Sequence, residues 1–265
     1  MMKRNSMGVK VIFEDDSILV LDKPAGLIVH SDGRTQEPSL ADWILAHYPS
    51  LANVGEPWVS PQGEKILLPG IVHRLDRTTS GVMLVAKTPE MYAELKQAFK
   101  ERRVHKTYRA FVHGHMEKKK GKIVAEIMRS SSPPKHWYAR PCEEGDKRAA
   151  VTNWCLLKNF ADSATDEVVA YIEAQPVTGR THQIRVHFAS IGHPLIGDHV
   201  YNHSSILQKA GMIMDGGRGG EEREMVSLGF TRPALHAYSI TLDLAGQPQT
   251  FIAPLPPDFS RHSAN

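Results

Sequence analysis

Residues 73–86 read His73-Arg74-Leu75-Asp76-Arg77-Thr78-Thr79-Ser80-Gly81-Val82-Met83-Leu84-Val85-Ala86. The apolar run at the end of this stretch predicts a buried strand, and the Thr-Thr-Ser-Gly before it has the composition of a tight turn. The pattern therefore places Asp76 between two arginines, in a loop that a rigid strand holds in place. Such a loop suits an acid-bearing site that binds anions. The alternative is a structural Asp76 that closes the turn by accepting backbone N–H groups.

The composition is that of a folded globular protein, since 41% of the 265 residues are hydrophobic and 23% are charged. The two cysteines, Cys142 and Cys155, lack a paired motif spacing, so we expect neither a disulfide framework nor a four-cysteine zinc site. The basic N-terminus lacks the apolar core of a signal peptide, and no later stretch reaches membrane-spanning length. These features predict a cytoplasmic protein without a membrane partner.

Basic residues gather in two places, although the formal net charge is only +3. The first cluster is Lys96, Lys100, Arg102, Arg103, His105 and Lys106, and the second is Lys118, Lys119, Lys120 and Lys122. Each cluster suits phosphate contacts with a nucleic acid, but a solvated helix face or loop explains it equally well.

The N-terminal part of the chain predicts short elements. Apolar residues on both sides of Asp15-Asp16 predict a hairpin, and Ser39 with Asp42 predicts a capping box for a helix that ends near Tyr48. Residues 49–69 are punctuated by Pro and Gly, which predicts a flexible loop. Pro89 behind Thr88 predicts the start of a second helix.

Most of the remaining periodic segments predict strands. They are residues 107–112, 150–157, 168–174, 233–238 and 241–244, with one more strand at 251–253. Residues 178–185 predict a turn that becomes a helix with Ile184, Phe188 and Ile191 on its buried face. Strands in mixed order with few helices predict an α+β fold with a largely antiparallel sheet.

No internal repeat or rich linker divides the chain, so we expect one domain over residues 10–259. Residues 1–9 and 260–265 are expected to be tails. The Gly-rich region 202–231 has no sustained period, which predicts a mobile surface insertion.

Three long segments, in order, resemble the RluA-type RNA pseudouridine synthases. The segments are Asp22-Lys23-Pro24-Ala25-Gly26-Leu27, the His73 to Gly81 run, and Gly179-Arg180-Thr181-His182-Gln183-Ile184-Arg185-Val186-His187 continued by Gly192-His193-Pro194-Leu195-Ile196-Gly197-Asp198. Lys106-Thr107-Tyr108-Arg109-Ala110 and Leu235-His236-Ala237 fit the same pattern. The resemblance implies a pseudouridine-synthase fold, with a mixed, mainly antiparallel sheet, flanking helices and a central active-site cleft. It also implies isomerisation of uridine in RNA without a cofactor or metal.

The resemblance assigns catalytic roles to three residues. Asp76 matches the catalytic aspartate, which acts on the ribose either as a nucleophile or as a base. Arg185 matches the cation that offsets the cost of burying this carboxylate. Tyr108 matches an active-site tyrosine, on which uracil stacks or whose phenol helps to remove the proton from C5.

Four further residues are expected to bind the substrate. Arg74 matches the residue that fills the space left by the extruded uracil. Lys23 and Arg180 hold phosphate or position loops, and a purely structural role is equally open for both. His73, directly before Arg74, completes this set.

A metal site is not expected, because His182 and His187 are five residues apart and no third ligand cluster accompanies them. A zinc deaminase is excluded because Pro141-Cys142 is not followed by the required second cysteine.

Two matters stay open at this point. A non-catalytic RNA-binding or assembly factor that keeps the fold is the alternative to an enzyme. The RNA partner is a tRNA or rRNA stem-loop, and the protein is expected to be a monomer. Only about ten residues precede the first predicted strand, so an N-terminal RNA-binding domain of the S4 type is expected to be absent.

Overall fold

The computed structural model describes residues 7–31, 37–60, 63, 65–131, 136–162, 166–202 and 228–263. The chain forms two compact units, each built from two separate stretches. Unit 1 comprises Met1–Lys106 and Ala237–Leu255, and unit 2 comprises Thr107–His236 and Pro256–Asn265. Most of the insertion expected at 202–231 lies outside the described residues.

Unit 1 is built around antiparallel strands. They are β1 (Lys10–Glu14), β2 (Ile18–Lys23), the short β3 (Trp58–Val59) and β4 (Lys65–Ile66), β5 (Ser80–Ala86), most of β11 (Leu235–Leu244), and β12 (Gln247–Ile252). Strand β2 pairs with β1 and β5, β3 with β4, and β11 with β12. The predicted first turn is confirmed, because the Asp15 carboxylate accepts the N–H groups of Ser17 at 2.7 Å and Ile18 at 2.8 Å.

The start of β5 requires glycine. Gly81 has a φ of +120°, and a Cβ added there would lie 2.1 Å from the carbonyl oxygen of Ala237 on the neighbouring β11. Any other residue would force these two backbones apart. All seven residues of β5 are buried, which confirms the predicted strand.

Both predicted helices of unit 1 are present. Helix α1 (Leu40–His47) begins with the predicted capping box between Ser39 and Asp42. Helix α2 (Pro89–Lys100) begins after Thr88, whose hydroxyl accepts the N–H of Met91. The single long loop predicted at 49–69 is wrong in part, since it contains a 3₁₀ helix (Pro49–Asn53) and the β3–β4 hairpin.

Unit 2 contains a second set of antiparallel strands. They are most of β6 (His105–His113), β7 (Lys120–Arg129), β8 (Trp137–Pro141), β9 (Ala149–Ala161) and β10 (Val168–Pro176). Strand β10 pairs with β6 and β9, and β7 pairs with β9 and β8. Strands β7 and β8 are missing from the sequence prediction. The lysines at the start of β7 lie on an exposed strand end before the buried Ile123, not in a loop.

An aromatic cluster around Phe111 forms part of the core of unit 2. The Phe111 ring stacks on Tyr171 with centroids 4.6 Å apart and contacts Phe230 at 5.6 Å and Phe259 at 5.2 Å. Phe259 belongs to helix α4 (Pro257–Ser263) and is fully buried. Residues 260–263, predicted as a tail, are therefore helical because burial of Phe259 orders this end of the chain.

Helix α3 (Gln183–Ser190) is buried from Gln183 to Ala189, since strands β7 to β10 of unit 2 contact it. The prediction of one buried face is wrong at Ile191, which is 41% exposed. None of the helices in the described ranges is long and apolar enough to cross a membrane.

Candidate active site

The Asp76 loop is fixed at both ends within unit 1. The carbonyl of Asp76 accepts the N–H of Thr79 at 3.1 Å, which closes the predicted turn immediately before β5. Leu75 on one side, and Thr79 and Ser80 on the other, are buried, whereas Asp76 itself is half-buried. The backbone of the predicted catalytic residue is therefore held between packed neighbours.

Lys23 braces this loop from β2. Its side chain is fully buried, and its ammonium donates to the carbonyls of Pro24 at 2.9 Å, Leu27 at 2.8 Å and Arg77 at 3.2 Å. These three bonds match the three donors of an ammonium group. The Arg77 carbonyl also accepts the N–H of Gly26 at 2.8 Å. These contacts are compatible with a role of Lys23 in positioning loops, and that role stays a prediction.

His73 is tied to the strand that follows the loop. Its Nε2 accepts the N–H of Leu84 at 2.9 Å, and its ring stacks on Phe99 with centroids 4.7 Å apart. Burial, helped by the positive charge of Lys106, lowers the pKa of His73 to about 3. A neutral imidazole agrees with an Nε2 that accepts a hydrogen bond, and both contacts of the His73 ring lie within unit 1.

Unlike the His73 ring, the Arg74 side chain is exposed to solvent. One guanidinium nitrogen lies 3.4 Å from Nε2 of His30, whose Nδ1 lies 2.8 Å from the carbonyl oxygen of Ser31. The consistent tautomer carries its proton on Nδ1, donates to Ser31 and accepts from Arg74.

Tyr108 lies on β6 in unit 2, opposite Ala174 of β10. Its half-buried ring packs against an apolar cluster that includes Ala110, Ile172 and Phe188. This packing fixes the ring at the edge of the core, which is compatible with a flat surface for a base.

Arg185 has a buried carboxylate partner that the sequence analysis missed. Its Nε and Nη2 donate to the two oxygens of Asp198 at 2.7 and 2.8 Å, and both side chains are almost fully buried. Asp198 also accepts the N–H groups of Val200 and Tyr201 at 3.1 and 3.3 Å. Asp198 ends the third matched segment, so its place in that segment was the available signal.

Tyr201 is a second missed residue. The Arg185 guanidinium carbon lies 4.9 Å from the centre of the Tyr201 ring, a distance suited to a cation–π interaction. The Tyr201 hydroxyl lies 2.7 Å from Nδ1 of His182, which precedes α3 with a left-handed φ of +55°. No motif in the sequence analysis reached Tyr201.

Gln183 fixes the turn that carries Arg180. Its side-chain oxygen accepts the Thr178 hydroxyl at 2.7 Å and the Arg180 N–H at 3.0 Å. Its amide nitrogen donates to Val151 and Thr152 at 3.0 Å each. The Arg180 side chain is exposed on this rigid turn.

Of the two histidines considered for a metal site, His182 precedes α3 and His187 lies within it. His187 is fully buried with Nδ1 2.9 Å from the Thr152 hydroxyl, and burial lowers its pKa to about 4. Within the part of the chain that the structure describes, no three His, Cys, Asp or Glu side chains form a group that could hold a metal ion.

The family model for RNA pseudouridylate synthase matches residues 17–190. The chain belongs to this family. It is 32% identical to an uncharacterised RNA pseudouridine synthase of Synechocystis, over 95% of this chain and 67% of that protein. It is 33% identical to ribosomal large subunit pseudouridine synthase D of Zymomonas mobilis, over 94% of this chain and 70% of that protein.

A further relative is ribosomal large subunit pseudouridine synthase D of Neisseria meningitidis, 35% identical over 95% of this chain and 59% of that protein. The chain thus spans between 59% and 70% of these three relatives. A solved structure, human RNA pseudouridylate synthase domain containing 1, has a TM-score of 0.65 at 24% identity and covers 94% of this chain and 84% of its own.

These findings confirm the RluA-type family, the α+β fold with mainly antiparallel strands, and the enzyme class, an RNA pseudouridine synthase and hence an isomerase. Asp76, Lys23, His73 and Arg74 lie in unit 1, and Tyr108, Arg180 and Arg185 lie in unit 2. The roles of these seven residues stay predictions.

Proposed function

We propose that this protein converts uridine to pseudouridine in the RNA of the large ribosomal subunit. The observation that carries this proposal is the similarity to several proteins named ribosomal large subunit pseudouridine synthase D, which are 31–35% identical over 94–96% of this chain. In the reaction the N1–C1′ bond of uridine breaks, the uracil turns, and C5 bonds to C1′. A ribosomal substrate places the activity in the cytoplasm, and we propose that the protein acts as a monomer.

Asp76 is proposed as the group that acts on the ribose, as nucleophile or base. Two observations support this choice: Asp76 is half-buried, and Lys23 and the turn to Thr79 hold its backbone in place. A fixed geometry is what positions a reacting group efficiently.

Arg185 is proposed as the cation that keeps this carboxylate ionised. Its two bonds to Asp198 fix the geometry of the guanidinium group. Tyr108 is proposed to stack on uracil or to assist at C5. Exposed Arg74 and Arg180 are proposed to fill the vacated stack and to contact phosphate.

The test is release of tritium from large-subunit RNA transcribed with uridine labelled at C5. We expect the wild type to release tritium and Asp76→Asn to bind the same RNA without detectable release. Asp243→Asn, which changes an exposed aspartate of β11 in unit 1, is the matched control and should keep full activity.

The outcomes separate the alternatives. Release from tRNA but not from ribosomal RNA would contradict the proposed target. RNA binding without release from any cellular RNA, already in the wild type, would contradict catalysis and favour the non-catalytic RNA-binding factor.

A further inference from the structure

Trp58 and His30 form an aromatic pair on unit 1 that the roles above do not use. Their ring centroids are 5.8 Å apart, and the rings are inclined at 47°. His30 in turn lies 3.4 Å from the guanidinium of Arg74. One histidine therefore links a tryptophan to the arginine proposed to replace the extruded uracil.

The ring geometry of this pair differs from that of two other histidine pairs in unit 1. Trp43 and His47 stack at 4.1 Å and 22°, and His73 and Phe99 stack at 4.7 Å and 24°. In those pairs the histidine covers a face of its partner. At 5.8 Å and 47° His30 touches Trp58 without lying flat on it, so this contact does not cover a Trp58 face. In agreement, Trp43 is 8% exposed, whereas Trp58 is only half-buried.

The hairpin that carries Trp58 is too small to have a core of its own. It consists of two residue pairs, Trp58 with Ile66 and Val59 with Lys65. Val59 is 55% exposed but follows Trp58 on β3, so its side chain lies on the opposite face of the hairpin, and the Trp58 face carries Ile66. Two residue pairs are too few to bury a tryptophan, which agrees with the half-buried state of Trp58.

The neighbouring charge indicates the chemistry of the partner. Arg74 is an exposed cation beside His30, which favours a ligand that combines a flat apolar surface with negative charge. A nucleotide of an RNA strand has both, because its base stacks on aromatic rings and its phosphate attracts arginine.

We propose that Trp58 is a stacking site for an unstacked base of the RNA strand, with His30 as the bridge that sets its position relative to Arg74. The proposal rests on the proposed function in that it takes the substrate to be RNA. A base held on Trp58 would keep the strand open while Arg74 occupies the vacated stack.

The experiment compares binding of two single-stranded probes, a ten-residue oligouridylate and an abasic ribose-phosphate oligomer of the same length. Both carry the same phosphates, so their difference in Kd reports contacts with bases. We expect the wild type to prefer oligouridylate by about five-fold or more, the usual size of one base–aromatic contact. Trp58→Ala should lower that preference by about five-fold while the share from Tyr108 remains, and Trp58→Phe should keep most of it.

Tyr138→Ala is the matched control, because Tyr138 is a partly exposed aromatic residue of unit 2 and should leave the preference unchanged. Thermal unfolding of each variant shows whether it is folded. If Trp58→Ala is unfolded, the comparison of Trp58→Phe with the wild type still tests the proposal. The proposal is overturned if the wild type binds both probes equally or if Trp58→Ala keeps the full preference. Tritium release from ribosomal RNA is measured in parallel, so that a wild type that stacks bases but forms no pseudouridine contradicts only the proposed function.

Discussion

The two units hold their key side chains by different means. In unit 1, Lys23 bonds to three main-chain carbonyls and so fixes the backbone of the Asp76 loop. In unit 2, Asp198 bonds directly to the guanidinium of Arg185. The hydrogen bonds of Lys23 fix the backbone position from which the Asp76 side chain extends. The ion pair with Asp198 fixes the Arg185 side chain itself and also offsets its positive charge. Substitutions of Lys23 and of Asp198 should therefore change stability and activity differently.

The largest effect is expected from removing the carboxylate of the ion pair. Asp198→Ala leaves the buried Arg185 without this partner, and loss of one member of a buried pair usually costs about 3–5 kcal/mol in the free energy of unfolding. Urea denaturation measures this change. Adding Arg185→Met should recover part of the loss, because the double variant has no unpaired buried charge. Glu144→Ala, which removes an exposed ion pair with Lys122, is the control and should leave stability unchanged. A loss below 1 kcal/mol in Asp198→Ala would show that the pair is not a structural brace.

The backbone brace is expected to have the next largest effect. Lys23→Met leaves the Pro24 and Leu27 carbonyls without a strong donor, while the Arg77 carbonyl keeps the Gly26 N–H. Two half-buried carbonyl acceptors without this donor suggest a loss of about 1–2 kcal/mol in unfolding free energy. Pseudouridine formation should fall at least about ten-fold, since the Asp76 loop shifts. The exposed Lys10→Met on β1 is the control. Unchanged activity in Lys23→Met would show that the Lys23 hydrogen bonds do not determine the position of Asp76.

The next effect is expected on the pH dependence of the unfolding free energy, through His187 in unit 2. Burial lowers the pKa of His187 from 6.5 to about 4 in the folded protein, so the unfolded chain binds the proton more tightly. The stability that neutral His187 contributes is present above pH 6.5 and is lost as the pH falls from 6.5 towards 4. We expect His187→Gln to reduce the loss of unfolding free energy between pH 7 and pH 5 by about 2 kcal/mol. The exposed His199→Gln should show the wild-type pH dependence, and an identical profile for His187→Gln would contradict a buried neutral imidazole.

The smallest effect on stability is expected at Arg74. The side chain is exposed, so Arg74→Ala should change the unfolding free energy by less than about 0.5 kcal/mol. Turnover on ribosomal RNA should nevertheless slow, because the vacated stack is no longer filled. Single-turnover measurements at saturating enzyme separate this step from RNA binding. Turnover equal to that of the wild type would remove Arg74 from the proposed mechanism.

Local signals in the sequence predicted much of unit 1. The capping box of Ser39 and Asp42 and the uninterrupted apolar run of β5 each depend on neighbours within a few residues. The β3–β4 hairpin escaped prediction because each of its strands has two residues, too few to show a period. Strand β7 was missed for another reason: its lysines are exposed, and the segment is a strand because it pairs with β9 and β8.

Candidate site residues could be named where they fall within matched segments. Asp76, Tyr108 and Arg185 were named in this way, and Asp198 stood in the last segment without a role. Tyr201 lies beyond it, and its contact with Arg185 arises because residues 16 positions apart meet through the turn after α3. The buried roles of His73 and Lys23 also depend on tertiary packing, which no spacing in the sequence encodes.

The division of the chain has a consequence for synthesis on the ribosome. Unit 1 is completed only by Ala237–Leu255, which supplies β12 and the contact of Phe251 with Phe13. All of Thr107–His236 is made in the meantime, which takes roughly ten to twenty seconds at ordinary rates of translation. The aromatic cluster of unit 2 is complete only when Phe259 of α4 packs against Phe111. Both units therefore reach their final packing only once Ala237–Leu255 and Phe259 have emerged, and a ribosome that stalls before this point would hold two unfinished cores.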